Sequence, residues 1–203
     1  MSVAADHQAA PVVSHVVVGV ASSAGGVQAL IAFAAALPAV FPAAVLVAHH
    51  LAEQPRSHLS EVLGRVCSLP VRTAADGDTV VPGVVLVCPA GSHFVVLAGP
   101  RLLLLREAPV NFVRPSADWL FESLATTCGR NAVAVILSGS GSDGAAGARA
   151  IKLAGGTVIV EDRTTAQFSG MPDAVIRGGA ADLVLPVQDI PGALAELIGE
   201  IVR

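Results

Sequence analysis

Four runs along the chain are apolar almost without interruption and end in turn residues: Val16–Ala21, Ala43–Ala48, Ala132–Leu137 and Thr157–Val160. Such runs, too short for helices and lacking polar alternation, predict parallel strands buried on both faces. Helix-like segments follow the first three, and the helical candidates are Val27–Leu37, Arg56–Val66, Ser116–Cys128, Ala145–Leu153 and Ile190–Val202. This strand–helix alternation predicts an α/β fold, a doubly wound and mainly parallel sheet flanked by helices. The middle of the chain reads differently. Val84–Cys88, Phe94–Ala98 and Arg101–Leu105 are all strand-like, and only Gly99-Pro100 separates the last two, which predicts an antiparallel β-hairpin inserted in the sheet order. Residues 1–15 read as a flexible lead-in, and 16–203 as one domain without internal repeat or linker.

Composition narrows the picture. With 203 residues, 53% hydrophobic and 14% charged, the chain can build a full core, mainly from Ala, Val and Leu. A net charge of −4 without a basic run removes nucleic acid from the expected partners. Cys67, Cys88 and Cys128 are odd in number and widely spaced, so they predict buried thiols in a reduced, cytoplasmic setting rather than disulfides or a zinc site. No secretory signal is visible near the start. Ala29–Ala48 is uncharged and long enough for a membrane span, but Pro38 and Pro42 favour a helix, a turn and a buried strand, so membrane insertion is not expected.

In open α/β sheets chemistry collects beyond the carboxyl ends of the strands. The first strand runs into Ala21-Ser22-Ser23-Ala24-Gly25-Gly26, the second ends in His49-His50, and the third enters Ser138-Gly139-Ser140-Gly141-Ser142-Asp143-Gly144. A hydroxyl nucleophile needs a base within hydrogen-bond reach, and that base needs a carboxylate to fix its tautomer. Three loops supply this set. Each part also has an ordinary reading, with serine or Asp143 as a helix cap and the histidines as a strand end. A competing reading makes Gly139, Gly141 and Gly144 a GxGxxG dinucleotide loop, with Glu161 and Asp162 placed for a ribose, although Asp143 would repel a pyrophosphate. His49, His50, His58 and His93 lack metal-site spacing, and His93 reads as a loop or surface residue.

Several segments resemble the chemotaxis protein-glutamate methylesterases, the CheB-type catalytic domain. They are ASSAGGVQAL at 21–30, the strand end at His50, Asn111 with Arg114-Pro115-Ser116, GRNAVAVILSGSGSDGAAG at 129–147, and SGMP at 169–172. The resemblance covers nearly everything after residue 15. It implies Ser23 as nucleophile, His50 as base and Asp143 as orienting carboxylate, with Ser22 and His49 as neighbours. It further implies an oxyanion loop of Ala24, Gly25, Ser140 and Gly141, no metal and no cofactor. The reaction implied is removal of methyl esters from glutamate side chains of chemoreceptors, with glutamine deamidation in some members. Expected partners are a chemoreceptor's cytoplasmic helical region or a related methylated signalling protein, with control by a separate regulatory protein left open. A catalytically silent receptor-binding scaffold is the alternative from another class. The chain departs from the family pattern in three ways: it shows no receiver domain, Ser140 replaces a common methionine, and Val113 replaces a frequent histidine.

Overall fold

The computed structural model describes residues 13–50, 57–110 and 112–201. Seven strands form one wholly parallel sheet: β1 (Val16–Ser22), β2 (Ala43–His49), β3 (Val71–Thr73), β4 (Val85–Val87), β7 (Ala132–Ile136), β8 (Thr157–Glu161) and β9 (Leu183–Leu185). Their order is β3-β4-β2-β1-β7-β8-β9. The chain moves outward from β1 in one direction and later returns to its other side with β7. The switch point therefore lies between β1 and β7, where open α/β sheets form their crevices. The expected doubly wound α/β architecture is the one observed.

Alternation along β1 sorts the two halves of the core. Val16, Val18 and Val20 face α1 (Gly26–Ala35), α2 (Leu59–Gly64) and α6 (Ile190–Ile201), packing with Leu30, Phe33, Leu63 and Leu194. Val17 and Ala21 face the other layer, α3 (Ala117–Cys128), α4 (Ala145–Leu153) and α5 (Gly170–Arg177), with Phe121, Leu124, Ile151 and Val175. Burying strands on both faces is what makes their sequences continuously apolar. The uncharged stretch Ala29–Ala48 divides between α1 and β2, and among the described residues no helix is long and apolar enough to cross a membrane.

Four expectations shift. The hairpin β5 (His93–Leu97) and β6 (Arg101–Leu105) forms, but as its own two-stranded sheet rather than within the main sheet order. Its apolar side, Phe94, Val96 and Leu102, packs into the layer of α3, and the Val96 amide donates to Ser123 Oγ at 3.0 Å. The position beside β2 is already taken by β4, and β4 pairs on its other side with β3. The packed chain begins before residue 16: Val13 is buried, donates its amide to Thr127 O at 3.2 Å and accepts from Asn131 Nδ2 at 2.9 Å. The strands β3 and β9 were not expected, because three-residue, largely exposed strands leave no apolar run to read; α5, eight residues long with Met171, Pro172 and Val175 buried, was not expected either. The expected helix over 56–66 appears as Leu59–Gly64; Arg56 and Val202 lie outside the described residues.

Helices α3 and α4 approach closely over Gly147. A Cβ there would meet Phe121 Cβ at 2.6 Å and the Asp118 backbone at 3.0 Å. Alanine is worth about 1 kcal/mol more than glycine in a helix interior, but overpacking costs about 1–3 kcal/mol. Gly147→Ala is therefore expected to lower stability, read as a lower urea midpoint at unchanged m-value. A rise in the midpoint would contradict the packing described.

Candidate active site

Ser22 and His49 are paired residues at the carboxyl ends of β1 and β2, and the His50 amide donates to Ser22 O at 3.0 Å. Ser23 and His50 therefore leave adjacent strands together. Ser23 is fixed through its backbone: its amide donates to Ser138 O at 2.9 Å, and its carbonyl accepts from the Gly26 amide at 2.8 Å. Gly25 closes this turn with φ of 70°, a left-handed conformation that glycine adopts without strain. The loop after β7 lies against it. A Cβ on Gly139 would come within 3.0 Å of Ser23 Cβ and 2.2 Å of Met171 Sδ, so only glycine lets the two loops meet.

His50 and Asp143 are brought together from β2 and the loop before α4, with Nε2 2.7 Å from Oδ2 and both side chains nearly buried. The second ring nitrogen, Nδ1, is buried and has no hydrogen-bond partner among the described residues. Asp143 does not cap the helix that follows it. It caps α3 instead, accepting from the amides of Ala117 at 2.6 Å and Asp118 at 3.3 Å and from the Ser116 hydroxyl at 2.9 Å. Burial by itself would raise its pKa. The His50 hydrogen bond, the Ala117 amide, the His50 charge and the Ser116 hydroxyl together outweigh burial and hold the carboxyl below its ordinary range. The positive end of the α3 dipole favours the same charge.

A second serine–histidine pair lies beside the first. Ser22 Oγ is 2.9 Å from His49 Nδ1, with Ser22 fully buried and His49 7% exposed. Burial, and next the neighbouring His50 charge, push the His49 pKa down to about 4, so this ring is neutral across the physiological range. No carboxylate accompanies it among its hydrogen-bond partners. The pair fills the angle between the two strands, where Gly26 has room for no side chain: its Cβ would meet Ser22 Cβ at 2.7 Å.

Residues 18–194 match the model of the family described as CheB methylesterase. The chain belongs to this family. Relatives at the sequence level include "Protein-glutamate methylesterase/protein-glutamine glutaminase 1" of Geobacter sulfurreducens, 38% identical over 187 residues covering 90% of this chain and 52% of the relative. "Protein-glutamate methylesterase/protein-glutamine glutaminase 2" of Anaeromyxobacter dehalogenans is 42% identical over 182 residues, covering 89% of this chain and 53% of the relative. The chain thus spans about half the length of these curated relatives. The crystal structure of the Thermotoga maritima CheB methylesterase catalytic domain superposes with a TM-score of 0.87 at 38% identity, covering 91% of this chain and all of that one.

Other parts of this CheB-family site were not visible in the sequence. Ser116 and the first turn of α3 hold Asp143 from 25 or more residues away. His93 is not on the surface: it lies on β5, fully buried, accepts the Ser116 amide on Nδ1 at 3.0 Å, donates from Nε2–H to Ala108 O at 3.2 Å, and stacks 4.6 Å from Trp119. Glu161 is fully buried and accepts the Ser138 amide at 2.7 Å rather than facing a ribose. The glycine loop is likewise closed to a pyrophosphate at Gly139, whose amide donates to Phe168 O and whose carbonyl accepts from Met171, both at 2.9 Å. Ser140 and Gly141 are exposed at the loop's tip. Asn111 lies outside the described residues.

The low His49 pKa is also a statement about stability. The unfolded chain protonates this histidine near 6.5 and the folded chain only near 4, so below 6.5 the unfolded state binds more protons and stability falls until about pH 4. At about 1.4 kcal/mol per unit, the effect is at most about 3 kcal/mol. Asp118, raised to about 6 by burial, then countered by the Gly147 amide and raised again by Asp143, works in the opposite direction over nearly the same window. The wild-type curve alone is therefore expected to be shallow. The difference between wild type and His49→Gln isolates the histidine: the stability lead of wild type should shrink from pH 7 to pH 4. A constant lead would mean that folding leaves the His49 pKa unchanged.

Proposed function

We propose that this chain is a serine hydrolase acting on γ-methyl esters of glutamate side chains in chemoreceptor-type proteins, in a cytoplasmic setting, and on glutamine amides as a second reaction. The observation that carries this is the buried His50–Asp143 pair, which leaves His50 Nδ1 bare while the competing Ser22–His49 pair is closed on itself. The printed names of the relatives support the choice of ester and amide.

In this reading Asp143 accepts the Nε2 proton of neutral His50, which fixes the tautomer with an unprotonated Nδ1. As Ser23 Oγ attacks the ester carbonyl, Nδ1 takes the hydroxyl proton, and the carboxylate stabilises the imidazolium that forms. The carbonyl π electrons move to oxygen. The amides of Ala24, Ser140 and Gly141 donate to no other described residue and, with Gly25, are the donors for that oxyanion. Collapse of the tetrahedral intermediate breaks the ester C–O bond, and the imidazolium returns its proton to the departing methoxide, which leaves as methanol. Water then attacks the glutamyl–Ser23 ester by the same route and regenerates the serine. With Ser140 in place of methionine the loop keeps its backbone donor, because the group used is an amide.

Methanol release from methyl-esterified receptor fragments, with a small aryl ester beside it, tests this directly. Ser23→Ala should lose turnover on both substrates and escape labelling by a serine-directed phosphonate. Ser22→Ala should keep substantial turnover per folded molecule, with a stability loss of about 1–3 kcal/mol because His49 Nδ1 is left unpaired. Label on Ser22, or an active Ser23→Ala, would move the nucleophile.

Asp143→Asn preserves the size of the loop while favouring the wrong histidine tautomer; in a serine protease whose aspartate holds Nδ1 instead of Nε2, the corresponding change costs about 10⁴ in turnover. A large loss of kcat with the fold retained by circular dichroism is expected. Tight binding of a nicotinamide dinucleotide by the unaltered protein, without ester turnover, would instead support a GxGxxG site.

A further inference from the structure

All of Ser138's polar atoms are engaged, and the four hydrogen bonds reach three segments. Its carbonyl accepts the Ser23 amide at 2.9 Å, and its hydroxyl donates to Ala24 O at 2.9 Å while accepting the Phe168 amide at 3.0 Å. Its own amide donates to Glu161 Oε2 at 2.7 Å. Ser138 thus ties the nucleophile turn, the loop after β7 and the loop between β8 and α5 into one unit. Glu161, the last residue of β8, is the fixed post to which that unit is fastened. It is fully buried, and its β-strand position is set by pairing with Leu185.

A buried carboxyl is costly, and this one has no ion-pair partner among the described residues. Burial pushes its pKa up against the opposing pull of the Ser138 amide and the Thr165 hydroxyl, and Oε1 has no hydrogen-bond partner among the described residues. A leucine there would pack against the same apolar surroundings without either penalty. The group is therefore expensive for the fold, and the hydrogen bond it takes from the Ser138 amide ends three covalent bonds from the carbonyl oxygen that anchors Ser23.

We infer that Glu161 is a positioning residue for the reaction: through Ser138 it sets the placement of the Ser23 turn. It touches no reacting atom. What it supplies is a hydrogen-bond acceptor at a fixed point, not a charge. Beside it lies a cavity of about 220 Å³, lined in part by Gly25, Gln28, Glu161 and Gln167, so an amide in place of the carboxyl has room for its NH₂ group. This inference rests on the hydrolase reading for its kinetic consequence but not for its structural one.

The test compares wild type, Glu161→Gln and Glu161→Leu on the aryl ester and by amide hydrogen exchange. Glu161→Gln retains the acceptor and is expected to keep kcat within about twofold. Glu161→Leu should lower kcat at least tenfold with KM unchanged and without a matching loss of thermal stability. It should also raise exchange at the Ser23 and Phe168 amides about tenfold, while Val18 and Val20 in β1 stay protected. Equal activity in Glu161→Leu, equal losses in both variants, or unchanged exchange at Ser23 would overturn the inference. If wild type proves inactive on every ester, the hydrolase reading falls and the exchange result alone decides the role of Glu161. Should Glu161→Leu fail to fold, Glu161→Met, unbranched and likewise without an oxygen acceptor for the Ser138 amide, takes its place with the same expected rise in exchange.

Discussion

An ionised carboxylate has to be kept beneath the surface, and much of the surrounding structure follows from how Asp143 meets that demand. Desolvation disfavours the charge, and four donors offset it: the amides of Ala117 and Asp118, the hydroxyl of Ser116 and the imidazole of His50. Two of these are the unsatisfied amides that open every helix, so α3 and Asp143 solve each other's problem. The arrangement dictates where α3 must start, and hence why Ser116 gives its hydroxyl to Asp143 instead of capping its own helix. His93 supports the same point one layer further out by accepting the Ser116 amide.

The geometry around the Ser23 turn rests on closeness rather than charge. Gly26 admits Ser22 and His49 beneath α1, Gly139 admits Ser23 and Met171, and Gly170 admits the backbone of Gly139 to Gly141. With the loops packed this tightly, the hydrogen-bonding capacity of Ser138 can be divided among three of them. The same packing excludes the phosphate cradle that GxGxxG would otherwise suggest, because the amide of Gly139 and the carboxyl of Glu161 are spent inside the protein.

Duplicated letters at two strand ends show how position decides role. Ser22-Ser23 and His49-His50 each offer two candidates of identical chemistry. The last residue of each strand turns inward, and these two satisfy one another in the core; the next residue of each lies beyond the sheet, where His50 meets Asp143. Burial then separates the histidines further, since His49, without a carboxylate, is held neutral.

The central strands, five of the six helices and the α/β class were legible in the sequence because strands buried on both faces need unbroken apolar runs, and because turns need glycine and proline. The resemblance also points to Ser23, His50 and Asp143, the residues of the proposed mechanism. Local pattern carried no trace of β3 or β9, which are three residues long and largely exposed; α5 was missed although Met171, Pro172 and Val175 give it a buried side. Nor did local pattern separate the hairpin from the main sheet, since pairing partners are chosen by which edges remain free. The pairing of His50 with Asp143 across 93 positions, the capping of α3 by a residue from another loop, and the reach of Glu161 to Ser138 arise only when the ends of β1, β2, β7 and β8 are brought side by side. Sequence determines which chemical groups each strand end carries; hydrogen-bond partners are a matter of distance, and only the assembled sheet sets the distances.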